Sequence, residues 1–184
     1  MNPRILSLNP QPAAPPAQPG QPLALAVREV AVADIPLLAG LLGRLSDQTR
    51  WLRYFSARPL PPDAALREAA RIAGLRAPAG AALIVTQGEQ AIAVAELARD
   101  PGRPGAAEFA LLVRDDHQAR GVGRLLAGRL LELAGRAGVE RLYGTVLAEN
   151  RAVLRLVAGL GAPHRIWHED GDVRVEIAVA PRAA

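Results

Sequence analysis

Residues Glu108 to Arg124 read Glu-Phe-Ala-Leu-Leu-Val-Arg-Asp-Asp-His-Gln-Ala-Arg-Gly-Val-Gly-Arg. Phe109 to Val113 is a short apolar run, with Pro104-Gly105 before it and Asp115-Asp116 after it, which is the pattern of a buried strand. Beyond the turn, Gln118, Ala119, Arg120, Gly121, Val122 and Gly123 lead into an amphipathic run. A helix start carries unpaired N–H groups and the positive end of the helix dipole, so it suits a phosphate. Gly121 and Gly123 remove side chains where an anion must approach the backbone, and Arg120 and Arg124 add charge. On physical grounds this is a strand–loop–helix anion site. It is not a P-loop, since no Gly-Lys-Ser/Thr is present, nor the three-glycine dinucleotide fingerprint.

Composition narrows the rest. The 184 residues suit one domain with a tail. No apolar run reaches the ~18 residues that span a membrane, and prolines interrupt the start where a secretory signal would be apolar. A cytoplasmic protein is the default. The absence of cysteine excludes disulfides, a thiolate nucleophile and Cys-based zinc sites. His117, His164 and His168 lack a metal-ligand spacing with carboxylates, so no metal is expected. The net charge of +4 raises nucleic acid as a partner, but the 22 basic residues are all Arg and scattered, and aromatics make up 3%. That is too few for stacking platforms, so neither a nucleic acid nor a membrane is expected as partner.

Along the chain, residues 1–22 hold seven prolines among Gln and Ala and read as a flexible tail. The domain is expected over 23–184. Leu23–Val30 reads as a strand. Asp34 caps a helix with Ile35, Leu38, Leu41, Leu42 and Leu45 on one face. Gln48–Phe55 is a short helix whose Trp51, Tyr54 and Phe55 either join the core or wall an acceptor cleft. Pro61-Pro62-Asp63 opens a third helix to about Leu75. Ala81–Thr86 and Ala91–Ala98 form a hairpin about Gly88. Gly121–Ala137 is a long helix with Val122, Leu125, Leu126, Leu130, Leu133 and Ala137 at helical spacing. Leu142–Leu147 is a strand, Asn150–Leu160 a helix, and Arg165–His168 and Val173–Val179 are strands about Asp170-Gly171. The order is β–α–α–α–β–β–β–α–β–α–β–β, an antiparallel meander followed by a parallel β–α–β unit.

The Gln-x-x-Gly-x-Gly spacing from Gln118 to Gly123 resembles motif A of the GNAT N-acetyltransferase superfamily. The element order fits that family's fold over about residues 23–180: α/β, with a mixed central sheet of about six to seven strands and flanking helices. Leu45-Ser-Asp-Gln-Thr-Arg-Trp-Leu-Arg-Tyr-Phe-Ser56 and Val146-Leu-Ala-Glu-Asn-Arg-Ala-Val-Leu-Arg-Leu156 are similar to segments of Pat-type protein lysine acetyltransferases. The resemblance implies acetyl-CoA as co-substrate. The backbone of Ala119–Arg124 would cradle its pyrophosphate, with Gln118 steadying the loop. Leu111, Leu112 and Val113 would pair with the pantetheine like an added strand. The Val113 amide would polarise the thioester carbonyl, and Asn150 would bond the pantetheine arm. It also implies an amine acceptor, first a protein lysine, alternatively a small-molecule amine, and a monomer or homodimer. A non-catalytic acyl-CoA-binding module is a further alternative. A lysine-free chain has no side-chain lysine of its own to acetylate.

Transfer to an amine needs the amine neutral, and a lysine at pH 7 gives up its proton at about 4–5 kcal/mol. A carboxylate in the cleft can accept it. Glu108 is the first candidate, since a carboxylate leading an apolar strand needs a reason and Ala107-Glu108-Phe109-Ala110 matches the Pat-type Ala-Glu-x-Ala strand. Otherwise it is the strand's solvated end, paired with an Arg. Glu96, with the parity of Ile92 and Val94, is the runner-up. Many relatives place a Tyr seven residues after the motif Asn to protonate the leaving thiolate; here that residue is Val157.

Overall fold

The computed structural model describes residues 24–169 and 171–180. The Pro-rich segment 1–22 and Asp170 of the final turn lie outside the described residues. The expected order of elements is found. The strands are β1 (Leu25–Glu29), β2 (Gly80–Gln87), β3 (Gln90–Arg99), β4 (Ala106–Val113), β5 (Arg141–Val146), β6 (His164–Glu169) and β7 (Asp172–Ala178). The helices are α1 (Ile35–Leu42), α2 (Asp47–Tyr54), α3 (Pro62–Gly74), α4 (Val122–Arg136) and α5 (Arg151–Ala158). The strands form one seven-stranded sheet in the order β1-β2-β3-β4-β5-β7-β6. The β4–β5 pair is parallel and the others are antiparallel. Among the described residues, no helix is long and apolar enough to cross a membrane.

Strand alternation gives the sheet two different faces. On the first, Leu83, Val85, Leu97, Leu142, Val175 and Ile177 pack with Leu126, Leu130 and Leu133 of α4 and Val157 of α5. On the second, Ala82, Ile84, Val94 and Leu112 pack with Leu38, Leu41 and Leu42 of α1 and Ala69, Ile72 and Ala73 of α3. Each fully buried Leu contributes about 1.5–3 kcal/mol. Leu125 and Ala137, expected in the packed stripe of α4, are exposed, because the sheet is met only by the narrower Val122–Leu126–Leu130–Leu133 stripe. Ile92 does not share the face of Val94 and Glu96. A register shift opposite Val85/Thr86 breaks the alternation and sends Ile92 to the first core. Asp34 is not a side-chain cap of α1. Its carboxylate accepts from the Ala31 N–H at 2.7 Å and from both ends of the Arg28 guanidinium at 2.6 Å.

The feature that positions the site is a fork. Strands β4 and β5 pair only from Ala106/Arg141 to Glu108/Tyr143 and then part. At the parting, Phe109 leans over Gly144, where a Cβ would stand 3.3 Å from the Phe109 ring. The missing side chain makes room for the wedge.

Candidate active site

The fork opens into a cleft of about 560 Å³, lined from β4 by Leu111, Leu112 and Val113. The Gln118–Gly123 loop and Arg124 form one wall, α5 another, and α2 crosses the mouth. The edge of β4 that faces the cleft follows from its ladder. Arg114 donates to the Ile92 carbonyl on the β3 side, so alternate residues point their backbone groups the other way. Leu111 and Val113 therefore aim their N–H and C=O groups into the opening, where no strand of the described residues pairs with them. One of these groups is taken: the Gln118 side-chain amide donates to the Val113 carbonyl at 3.0 Å. The Leu111 pair and the Val113 N–H remain.

In the loop after β4 the backbone twice enters the left-handed region. Gly121 is the residue before α4 and has φ +84°, the left-handed region that favours glycine, and Ala119 enters the same region. At Gly123 a Cβ would stand 3.8–4.0 Å from Leu111, Val113 and Leu156, in ordinary contact at the cleft wall. Arg124 lines the cleft beside Arg155, whereas Arg120 is exposed and outside the lining. Asn150 is buried at the start of α5. Its Oδ1 accepts from the Val153 N–H at 3.3 Å, and its amide nitrogen has no partner among the described residues. The His117 ring is held between Asp116 and Gln87, as a turn-stabilising residue would be.

Helix α2 straps the two lips together. Ser46 caps it, accepting from the Thr49 N–H at 3.1 Å. The Asp115 carboxylate accepts from the Ser46 backbone and hydroxyl and, at 2.7 Å, from the Thr49 hydroxyl. Thr49 in turn accepts from Gln118 at 3.0 Å. On the far lip the Trp51 indole donates to Glu149 at 2.8 Å. The aromatic stripe named from the sequence does not line this cleft. Trp51 and Phe55 are largely exposed, and Tyr54 is packed against the second core, where burial pushes its hydroxyl up to about 12. The cleft is lined by Thr49, Leu52 and Arg53 from the other side of the helix. Arg155, Val153 and Leu156 of α5 also line it; their i, i+2 and i+3 placement after Asn150 was the available signal.

The two candidate carboxylates share a sheet face and differ in company. Glu96 is buried, its oxygens taken by Arg53 and, at 2.7 Å, by Arg71. Glu108 is exposed at the fork, beside Tyr143. Burial, then the Asp100 carboxylate that accepts its hydroxyl proton at 2.8 Å, holds Tyr143 above the usual phenol value. Val157 lies in the first core, away from solvent.

A fork in a mixed sheet, with a glycine loop at the end of its central strand, is the architecture of an acyl-transferring domain. The family model described as Acetyltransferase (GNAT) family matches residues 47–162, and the chain belongs to that family. It is 39% identical over 92 residues to Acetyltransferase Pat of Mycolicibacterium smegmatis, an alignment covering 49% of this chain and 27% of that relative. The chain thus matches about a quarter of that relative's length. The GNAT domain of S. lividans PAT superposes with a TM-score of 0.73 at 28% identity, covering 83% of this chain and 89% of that one. The fold alone is shared with yncA of Salmonella typhimurium, solved with its cofactor acetyl-CoA, at a TM-score of 0.62 and 20% identity over 88% of this chain and 97% of that one.

Proposed function

We propose that the chain transfers an acetyl group from acetyl-CoA to a lysine ε-amine of a protein, with Glu108 as general base. The observation that carries the reading is the fork, whose inner edge offers backbone donors and an acceptor at Leu111 and Val113 below a glycine loop flanked by Arg124 and Arg155. Those groups suit the amides of a pantetheine arm, in the manner of an added strand. The loop amides and the two arginines suit its phosphates. The resemblance to Pat supports the donor and the reaction class.

In the step itself the neutral amine attacks the thioester carbonyl, the new C–N bond forms, and the C–S bond breaks. Before the attack Glu108 takes the ammonium proton, directly or through a water, and collapse of the tetrahedral intermediate releases the second amine proton. The oxyanion is met by the Leu111 N–H, the open-edge amide nearer Glu108, while the Val113 N–H of the sequence reading stands at the loop end with the phosphates. The thiolate takes its proton from solvent or from the amine, because Val157 is an apolar core residue. Direct transfer within one cleft draws much of its rate from proximity.

A protein acceptor is favoured over a small amine by the ground in front of Glu108. No helix of the described residues packs on that face of β5, β7 and β6. It carries Tyr143, Glu176, Arg174, Arg165 and Trp167, an open surface of mixed charge rather than a narrow acidic pocket. The test is acetyl-CoA turnover on a panel of lysine-bearing proteins and small amines. Turnover confined to proteins supports the reading. Turnover of polyamines or amino acids alone moves it to the small-amine class. Acetyl-CoA binding without turnover on any acceptor leaves a binding module.

A further inference from the structure

Arg53 stands where an acetyl group gives it nothing to do. It lines the cleft among Leu52, Leu111 and Leu112, and its partner Glu96 sits opposite Ala110, one residue from the start of the open β4 edge. If pantetheine runs along Leu111–Val113, this is the end of the cleft that holds the transferred carbonyl and what lies beyond it. A methyl group there asks for an apolar wall, yet the wall carries a guanidinium.

That guanidinium is held in place rather than left loose. One nitrogen, Nη2, bonds Glu96, and the carbon lies 4.9 Å from the centroid of the Tyr54 ring. Arg71 takes the other oxygen of Glu96 and is itself bonded by both oxygens of Glu68, each at 2.8 Å. The four charges balance. The Nε and Nη1 donors of Arg53 have no hydrogen-bond partner among the described residues. Glu96 takes one hydrogen of Nη2, and the other, with the Nε–H or Nη1–H next to it, leaves one two-donor edge of the guanidinium to take a carboxylate in two bonds.

We propose that Arg53 reads a carboxylate at the reacting end of the cleft. Its source is either the far end of a dicarboxylic acyl chain on the CoA donor or the carboxylate of a small acceptor. The inference rests on the acyl-CoA reading of the cleft and deepens it; its acceptor arm, if it holds, replaces the protein acceptor with a small one.

Calorimetry on wild type, Arg53→Met and Arg53→Lys tests it without a known acceptor. One arm compares succinyl-CoA with acetyl-CoA. The other compares free lysine with lysine amide on the CoA-loaded protein. Arg53→Met is expected to weaken the carboxylate-bearing member of one pair by about tenfold and to leave its uncharged counterpart unchanged, the loss of one charged hydrogen-bonded contact. Arg53→Lys, which keeps the charge and the pairing with Glu96, falls between. A loss in the first arm assigns the donor, a loss in the second the acceptor. Equal affinities within both pairs in wild type, or equal losses in Arg53→Met, overturn the proposal while acetyl-CoA binding still upholds the donor cleft. Failure of wild type to bind any acyl-CoA sinks both.

Discussion

Helices α1 and α3 roof the second face of the sheet over β2 and β3, while over β5, β7 and β6 no helix of the described residues covers the same face. Each side of that border holds one glutamate on neighbouring strands: Glu96 under the roof, Glu108 at its edge. The roofed one is fully committed, with both oxygens on arginines. The other faces the fork with neither oxygen bonded to a side chain of the described residues. Burial alone would have chosen Glu96 as the tuned catalytic group. Counting partners chooses Glu108, because a base must have a lone pair to offer in the cleft. Buried charge at Glu96 reads as architecture that holds Arg53.

The sharpest way to break this contrast is to remove each carboxylate in turn. Glu108→Gln is expected to lower turnover by about 10²–10⁴-fold, the usual worth of a general base, with acetyl-CoA affinity unchanged by calorimetry. A normal rate would end its assignment as base. Glu96→Gln is expected to act first on the fold. It should cost about 3 kcal/mol in denaturant unfolding, the low end for breaking a buried pair because Arg71 remains half in water. A variant that keeps its stability but loses turnover would exchange the two roles.

The strap marks the border itself. Thr49 receives a hydrogen bond from Gln118 on the donor loop and gives one to Asp115, so Thr49→Val cuts the chain at its middle. The expected cost is about 1 kcal/mol of stability. A weaker affinity for acetyl-CoA should accompany it as Gln118 loses its anchor. Stability and affinity measured on the same preparation separate the two effects. A variant with lowered stability and unchanged affinity would leave the strap a purely structural tie.

The roofed half was the more legible in the sequence. Its apolar spacing gave α1, the Pro61-Pro62-Asp63 start gave α3, and local turn signals gave the β2–β3 hairpin. The glycine loop was legible too, since the phosphate logic lies within seven residues. What escaped was long-range. Trp51 bonds Glu149, and Arg53 bonds Glu96, across dozens of residues, and no local pattern encodes such pairs. On α2 the aromatic stripe at Trp51, Tyr54 and Phe55 drew attention, but Thr49, Leu52 and Arg53 line the cleft, about half a helical turn away. A single bulge misplaced Ile92, because alternation counts residues and cannot see an extra one.

The smallest expected effect concerns how the strap answers to acid. Partial loss of solvent would raise the Asp115 carboxyl. The hydrogen bonds from the Ser46 hydroxyl and backbone and from Thr49 outweigh it and hold the group below its ordinary value. The unfolded chain therefore takes up this proton first as the solution is acidified. The stabilisation is complete above the unfolded value of about 3.9 and is lost as pH falls through the lower folded value. Stability measured from about pH 5 to about pH 3 should fall more steeply for wild type than for Asp115→Asn, the difference isolating this carboxylate from the other depressed ones. Equal slopes would mean that the hydroxyls of Ser46 and Thr49 hold the strap without the charge. The tie between the donor loop and α2 would then be neutral, and the contrast between the two halves of the face would rest on Glu96 and Glu108 alone.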